Sequence, residues 1–299
     1  MAVPNPTNSL RIAICVGYRD ILFVRKTLRA IRRHLKAGPI YIITGKAYFR
    51  FYPGSMREAY ELIILDEDLL VPEMNYGRIR ETMLDQGLDV RATGWYFLQF
   101  LKMGFALTKY AGERHLILDA DTLPTEKRSF EENGKLLFAA KTEHHKPYFN
   151  TTQRLLGMGK SVDYSFIAEH MIIKTSIMKE LIADIEKAPV EGGGWVEKIM
   201  NAADRSDPNA FSEFETYGTY VVNKYPGLYK TRVLKTWREA GKTYGRGITE
   251  KEILSLNGMY DTISVEKRDV PPFPRSLQHY AVKIVARAVC NTLSFFFKT

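Results

Sequence analysis

The chain has few cysteines and no long apolar run. Its 299 residues include only Cys15 and Cys290, which lie near opposite ends. Neither cysteine has a partner at the spacing of a zinc site, so we expect reduced core thiols in a cytoplasmic protein. No stretch approaches the roughly 20 apolar residues that cross a bilayer, and residues 1–9 lack the basic and apolar regions of a secretory signal. These absences predict a protein that is neither exported by that route nor integral to a membrane.

Two common nucleotide-binding signatures are also missing. No G-x-G-x-x-G motif follows the first predicted strand, which argues against a Rossmann dinucleotide site, and the glycines at 192–194 lack the lysine and hydroxyl residue of a P-loop. The formal net charge of +9 favours anionic partners such as nucleotide phosphates or an acidic membrane surface, although a solvated basic face is the simpler alternative. Nucleic acid is the weakest candidate, because no zinc-finger, RNP or helix-turn-helix signature is present.

Apolar patterning in the first part of the chain predicts alternating strands and helices. Residues 10–17 form a nearly continuous apolar run, as in a buried parallel strand. Residues 20–35 have helical apolar spacing, with Asp20 as a candidate cap, and residues 40–44 and 60–65 resemble further strands. This β-α-β opening predicts an α/β fold with a mostly parallel central sheet flanked by helices, for which 45% hydrophobic residues supply a sufficient core.

The rest of the chain has a more mixed pattern. Residues 91–110 predict a helix that packs on the sheet, and residues 141–163 lack strong periodicity, which is typical of a loop that covers a site. No true linker is apparent. We therefore predict a single domain over residues 1–275 with a mixed second half, followed by an amphipathic helical segment over residues 276–299.

Two carboxylates follow the apolar run Leu116–Leu118 and form the most informative motif. Asp119 and Asp121 are spaced two apart, so at the end of a strand both side chains can face one point in space. Oxygen ligands gathered in this way suit Mg²⁺ or Mn²⁺, which would bridge to phosphates. The alternative is a solvated Asp-x-Asp at a strand-to-turn transition.

Three further residues are candidates for substrate contacts. Tyr18 and Arg19 follow the first strand, at the sheet edge where ligands bind in open α/β folds; Tyr18 could stack on a base and Arg19 could meet a phosphate. His170 lies in a predicted apolar strand over residues 166–174, where a substrate-contacting or metal-proximal role competes with that of a hydrogen-bonded structural histidine.

A pair of glutamates opens another predicted helix. In residues 211–225 the apolar positions leave Glu213 on one flank and Glu215 on the other, so we expect one to point into a cleft while the other faces water. Either carboxylate could act as a general base toward an acceptor hydroxyl. Acidic residues in a first helical turn also complement the helix dipole, which is the structural alternative.

The blocks at residues 94–103, 118–122, 165–171 and 211–218 resemble those of a little-characterised bacterial family of GT-A fold glycosyltransferases, over most of residues 10–240. The resemblance implies that Asp119 and Asp121 bind a divalent cation that holds the diphosphate of a nucleotide sugar, and that Tyr18 and Arg19 lie at the nucleoside site. In such enzymes a histidine near the C-terminus is sometimes a third metal ligand, and His279 is the candidate here.

We therefore expect a cytoplasmic, Mn²⁺- or Mg²⁺-dependent glycosyltransferase that uses a UDP- or GDP-linked sugar. Its acceptor would be a hydroxyl of a glycan or glycolipid in surface polysaccharide or lipopolysaccharide assembly. The basic, apolar segment 276–299 could contact the inner membrane peripherally or dock on the protein's own core. The alternatives are a sugar nucleotidyltransferase, which would need a glycine-rich basic loop after the first strand, and a non-catalytic carbohydrate-binding scaffold.

Overall fold

A computed structural model describes residues 9–72 and 74–296. The strands are β1 (Leu10–Cys15), β2 (Ala37–Thr44), β3 (Leu62–Asp66), β4 (Arg114–Leu118), β5 (Thr122–Pro124), β6 (Glu131–Glu132), β7 (Lys135–Ala139), β8 (His170–Lys174), β9 (Tyr229–Arg232), β10 (Thr236–Trp237) and β11 (Thr262–Ser264). The α-helices are α1 (Val24–His34), α2 (Gly54–Ala59), α3 (Tyr76–Asp85), α4 (Thr93–Gly104), α5 (Lys146–Leu156), α6 (Thr175–Glu186), α7 (Trp195–Ala202), α8 (Glu213–Lys224), α9 (Ala240–Tyr244), α10 (Glu250–Ser255) and α11 (Arg275–Phe296). Short 3-10 helices occupy Lys46–Phe51, Glu67–Leu69, Val90–Ala92 and Phe105–Leu107.

The chain forms two compact units that alternate along the sequence. The first contains the residues up to Asp66, the short segment Leu118–Ser129 and the residues from Leu234 onward. The second contains Glu67–Ile117 and Phe130–Val233. The boundaries predicted at residues 275 and 276 stay a prediction.

The first unit contains parallel strands followed by a small mixed sheet. Strands β3, β2 and β1 lie side by side in parallel register. Strand β11 pairs in parallel with β10 and in antiparallel with β5. Ala30, Leu123 and Ile263 belong to one buried cluster, so α1, β5 and β11 share a hydrophobic core.

The second unit is predominantly helical around short strands. Strand β7 pairs in parallel with β9 and in antiparallel with β6, while β4 and β8 are neighbours. Phe100 on α4 is fully buried, and its ring packs edge-on against Trp195 at 5.5 Å and tilted against Phe211 at 6.1 Å. These aromatic contacts join α4 to α7 and to the start of α8.

Several predicted elements are confirmed. The α/β class with mostly parallel strands and flanking helices is as expected, and β1, β2, β3 and α8 begin and end within two or three residues of their predicted bounds. Helix α4 begins two residues after the predicted start and ends six residues before the predicted end at residue 110. Cys15 is a buried thiol. The predictions for residues 1–8 and for the side chain of Cys290 lie outside what the structure describes.

The predicted loop at residues 141–163 is wrong over about half its length, because α5 occupies Lys146–Leu156. Pro147 lies in the first turn of this helix, and Gly157 closes it in the left-handed region at a φ of 66°. Tyr148, Phe149 and Leu155 are buried, so packing stabilises a helix whose polar composition hides its periodicity. The strand predicted at 166–174 is shorter than expected and begins at His170.

None of the helices in the described part of the chain is both long enough and apolar enough to cross a membrane.

The close approach of α8 to Phe166 makes a stability prediction. A Cβ added to Gly218 would lie 2.2 Å from the Phe166 ring, so Gly218→Ala should reduce the free energy of unfolding by about 1–3 kcal/mol through overpacking. Gly94→Ala on α4 is the matched control, because nothing lies within 4 Å of its added Cβ. That variant should be neutral or slightly stabilising. Urea unfolding of both variants checks the prediction, and equal stabilities would contradict it.

Candidate functional site

The predicted carboxylate pair lies in a turn of the first unit. Strand β4 ends at Leu118 and β5 begins at Thr122, so Asp119 and Asp121 lie beyond the strand and not within it. The Asp119 carbonyl accepts a hydrogen bond from the Thr122 N–H at 3.1 Å, which closes the turn. Both aspartates are half-buried. The geometry of the pair therefore depends on the turn, and strand alternation does not set it.

Two contacts from distant parts of the sequence hold the turn in place. The Thr27 hydroxyl on α1 donates to the Ala120 carbonyl at 2.6 Å. The Val265 N–H, directly after β11, donates to the Asp121 carbonyl at 3.0 Å. Because both carbonyls accept hydrogen bonds from the core of the unit, the backbone that carries the two carboxylates is fixed before any ligand arrives.

The surroundings of Asp121 are strongly acidic. Burial raises the pKa of Asp121, the negative charges of Asp20, Asp119 and Glu266 add to the rise, and the positive charge of Arg246 opposes it; together these effects bring the pKa to about 8. An acid with so high a pKa is held in the protonated form by its neighbours over much of the neutral range. A bound divalent cation would reverse that balance and ionise Asp121.

Arg246 is an almost fully buried cation beside this acidic cluster. Its guanidinium donates to the Asp20 carboxylate at 2.7 Å, to the Val265 carbonyl at 3.1 Å and to the Arg19 carbonyl at 3.3 Å. It also lies 4.4 Å from the centre of the Phe23 ring. Arg246 thereby joins the loop that follows β1 to the residue that holds the Asp121 carbonyl.

Sequence reasoning missed Arg246, which the sequence analysis counted only toward the net positive charge. Arg246 and Asp20 are 226 residues apart in the sequence, and no local pattern links them. The suggestion that Asp20 caps α1 is wrong. The N-cap is Phe23, without a side-chain hydrogen bond, because the Asp20 carboxylate is engaged by Arg246 while its carbonyl accepts the Val24 N–H.

Tyr18 and Arg19 lie in the exposed loop between β1 and α1. The Arg19 Nε donates to the Tyr18 hydroxyl at 2.7 Å, and the guanidinium lies 5.2 Å from the centre of that ring. The pair is solvent-exposed at the end of a parallel strand, which is where the sequence places it. Their roles toward a base and a phosphate stay predictions.

His279 lies on α11, also in the first unit, and its ring is buried edge-on to Tyr280 at 5.7 Å. In the described residues, no three His, Cys, Asp or Glu side chains are grouped so that they could hold a metal ion. The assignment of His279 as a third ligand therefore stays a prediction. Asp119 and Asp121 nevertheless fit Mg²⁺ or Mn²⁺, which use one or two carboxylates and take their other ligands from water and phosphate.

The two candidate glutamates lie in the second unit, and both are buried. Glu213 is 2% exposed and forms an ion pair with Lys102 at 2.8 Å; the Lys102 ammonium lies 4.7 Å from the centre of the Phe214 ring. The expectation that one glutamate faces water is wrong. An ion pair this deeply buried contributes little net stability, but removing either partner leaves an uncompensated charge.

Glu215 is 1% exposed, and its carboxylate binds the segment at Ser165 and Phe166. Its Oε2 accepts hydrogen bonds from the Ser165 hydroxyl at 2.7 Å and from the Phe166 N–H at 3.0 Å. Burial raises the pKa of Glu215, and these two hydrogen bonds lower it in part. A raised pKa makes a carboxylate a stronger base toward a nearby hydroxyl.

His170 is the first residue of β8 and is 4% exposed, with its ring edge-on to Phe130 at 5.5 Å. The adjacent Glu169 forms an ion pair with Lys141 at 3.4 Å, also buried. These contacts agree with the structural alternative for His170, and its proposed substrate contact stays a prediction.

No protein-family model matches the chain, and no curated protein sequence matches it. Solved structures do resemble it. Mouse xyloside xylosyltransferase 1 is 12% identical with a TM-score of 0.47, over 85% of this chain and 97% of that one. The galactosyltransferase LgtC in complex with donor and acceptor sugar analogues is 9% identical with a TM-score of 0.44, over 94% and 96%. The glycosyltransferase GlyE of Streptococcus pneumoniae is 14% identical with a TM-score of 0.40, over 95% and 63%. At such identities and scores these likenesses carry no argument about activity, so the function is argued below from the residues.

The ion pair of Arg246 with Asp20 makes a prediction about stability. Arg246→Gln should lower the free energy of unfolding by about 3 kcal/mol, because it leaves the Asp20 carboxylate without its buried partner. Adding Asp20→Asn should recover part of that loss. Arg268→Gln, which removes an exposed partner of Glu266, is the control and should cost less than about 1 kcal/mol. Denaturant unfolding of the wild type, the single variants Arg246→Gln and Asp20→Asn, the double variant and the control checks this, and strictly additive losses in the cycle would contradict the pairing.

The raised pKa of Asp121 makes a prediction about pH. Without divalent cations the folded state retains a proton that the unfolded state loses, so stability should fall as pH rises from about 4 to about 8. Asp121→Asn should remove this component, up to about 1.4 kcal/mol per pH unit. Unfolding free energies of both proteins between pH 5 and 9 in EDTA check it, and parallel profiles would show that Asp121 ionises normally.

Proposed function

We propose that this chain is a metal-dependent GT-A glycosyltransferase, which transfers a sugar from a nucleotide-diphosphate donor to an acceptor hydroxyl. The observation that carries the proposal is the fixed turn of Asp119 and Asp121, where burial and then the neighbouring carboxylates raise the pKa of Asp121. Concentrated negative charge on an immobile backbone is unfavourable unless a cation is bound. A cation bound at this site would neutralise the negative charge that the cluster concentrates.

In the proposed reaction, Asp119 and Asp121 hold Mn²⁺ or Mg²⁺ through carboxylate oxygens. The bound cation supplies positive charge that stabilises the nucleoside diphosphate as the sugar–phosphate bond breaks. Arg246 contributes differently, since its guanidinium is committed to Asp20, Val265 and Arg19 and fixes the loops around the turn. In this proposal Asp119 and Asp121 bind the cation, and Arg246 positions the loops around them.

The donor's nucleoside is assigned to the loop after β1. Tyr18 offers an exposed ring for stacking on a base, and Arg19 offers a guanidinium within reach of the same ligand. Arg246 donates a hydrogen bond to the Arg19 carbonyl, so the backbone that carries the Tyr18 and Arg19 side chains is held in place. UDP and GDP sugars both match this combination.

For the second unit we propose a general base among the buried acids, with Glu215 favoured over Glu213. Glu213 is engaged by Lys102 in an ion pair, whereas the pKa of Glu215 is raised and its Oε1 accepts no hydrogen bond from a described residue. His170 is kept as a candidate substrate contact.

The experiment that tests the proposal measures both metal-dependent binding and turnover. Calorimetric titration of UDP and GDP with and without Mn²⁺, followed by a screen of nucleotide sugars for hydrolysis, should show one nucleotide that binds only with the metal. Asp121→Ala and Asp119→Ala should abolish that binding and lower turnover by at least about 10²-fold. Glu58→Gln on α2 is the matched control, an acid of the same unit outside the cluster. Metal-independent binding that survives both variants would overturn the assignment and favour a carbohydrate-binding scaffold.

Kinetic and stability measurements distinguish the proposed roles of Glu213 and Glu215. Glu215→Gln should lower kcat by about 10²-fold or more while the KM for the donor changes little, because a general base acts on the acceptor. Glu213→Gln should instead lower the stability of the fold by leaving Lys102 buried without a counter-ion. Steady-state kinetics and thermal unfolding of both variants check this. Unchanged kcat in Glu215→Gln would exclude the base.

We further propose that the acceptor is a glycan or glycolipid of surface polysaccharide or lipopolysaccharide assembly, met on the cytoplasmic face of the inner membrane. Leu277, Tyr280 and Ile284 recur at three-to-four spacing along α11 and are all more than half exposed. The sequence of this helix contains no acidic residue. An apolar stripe without negative charge supports peripheral contact with an anionic surface.

A further inference from the structure

A separate basic cavity lies beside α1 in the first unit. It has a volume of about 270 Å³ and is open to solvent. Two arginines of α1 line one side, and residues in and around α2 line the other: Arg25, Arg29, Pro53, Ser55, Met56 and Tyr60. The lining thus contains two guanidinium groups, two hydroxyl-bearing side chains and no carboxylate.

The two arginines in the cavity differ from the other arginines of the same helix. Arg32 forms an ion pair with Glu61 at 3.8 Å, and Arg33 forms one with Glu250 at 2.5 Å. Among the described residues, Arg25 and Arg29 form no ion pair, and Arg25 makes only a long contact of 3.5 Å to the Phe51 carbonyl. Their charges are therefore available to a ligand.

The start of α1 adds to this positive field. A helix N-terminus carries partial positive charge and usually has an acidic residue or a side-chain cap, yet α1 has neither in its first turn. The first turn of α1 instead contains the basic residues Arg25 and Lys26, although acidic residues are preferred at this end of a helix. The pKa of Lys26 is lowered by burial and then by the nearby charges of Arg246 and Arg29.

We propose that this cavity binds a phosphate monoester. Arg25 and Arg29 are four residues apart, so both guanidinium groups are on the same side of α1 and can bind one dianion from two directions. Planar guanidinium groups match phosphate oxygens, and the Ser55 hydroxyl supplies a further donor. Pro53, Met56 and the Tyr60 ring form an apolar wall for the group that is esterified. A small soluble phosphate ester and the headgroup of a phosphatidic-acid-type lipid share this chemistry.

The test uses the full chain in EDTA, so that no divalent cation contributes. Glycerol phosphate and inorganic phosphate are titrated by calorimetry against sodium chloride of equal ionic strength, and vesicles with phosphatidic acid are compared with neutral vesicles by co-sedimentation. The double variant R25Q/R29Q should weaken binding of phosphate-bearing probes by about tenfold or more, because it removes both charge-assisted contacts. Arg33→Gln is the matched control, since it removes one charge from the same helix outside the cavity.

Each outcome bears on the proposal. Loss of glycerol phosphate binding in R25Q/R29Q with retention in Arg33→Gln supports a soluble ester, and the same pattern confined to phosphatidic acid vesicles supports a lipid headgroup. The absence of binding by every probe overturns the site. Equal loss in Arg33→Gln also overturns it, because the effect would then reflect net charge alone. Far-UV circular dichroism and thermal unfolding establish that each variant is folded, and single variants at Arg25 and Arg29 replace the double variant if it is not.

Discussion

The candidate donor site depends on one buried guanidinium. Arg246 binds Asp20 on one side and the Val265 carbonyl on the other, and Val265 in turn holds the carbonyl of Asp121. A buried arginine is expensive to desolvate, and this cost is offset only because several acceptors surround it. The β1 loop and the Asp119–Asp121 turn therefore share a single support. Any change that removes Arg246 disturbs the geometry and the electrostatics of the acidic cluster together.

The second unit also contains buried charged groups that are held by partners from other segments. Lys102 with Glu213 and Lys141 with Glu169 are nearly inaccessible ion pairs, and Glu215 is tied to Ser165 and Phe166. Buried charges of this kind add little to net stability but restrict the conformations that the surrounding segments can adopt. The residues around Glu215 are thus positioned by polar contacts as much as by packing. That arrangement favours a preorganised site over a flexible covering loop.

Sequence patterns predicted the elements whose periodicity is strong and failed where tertiary contacts decide the outcome. The parallel strands from Leu10 and Ala37 and the helix from Thr93 follow directly from apolar spacing. Helix α5 escaped prediction because its polar side chains obscure a buried face that exists only after packing. The Asp119–Asp121 motif was visible, whereas Arg246 was not, since its role arises from contacts with residues more than 200 positions away. The burial of Glu213 and Glu215 likewise depends on neighbours from other segments.

The interleaved path of the chain has a consequence for biosynthesis. The acidic turn belongs to the short segment Leu118–Ser129, yet part of its support comes from residues much later in the sequence: Thr122 bonds Ser264 across 142 residues, and β5 pairs with β11. Such distant pairings form slowly, because long stretches of chain must first be brought together. On the ribosome the nascent chain would expose the unfinished turn, with the apolar strand ahead of it, until about 265 residues had emerged. A truncated product that ended before β11 would therefore present the carboxylate pair without its geometry and would be a natural substrate for chaperones or proteases.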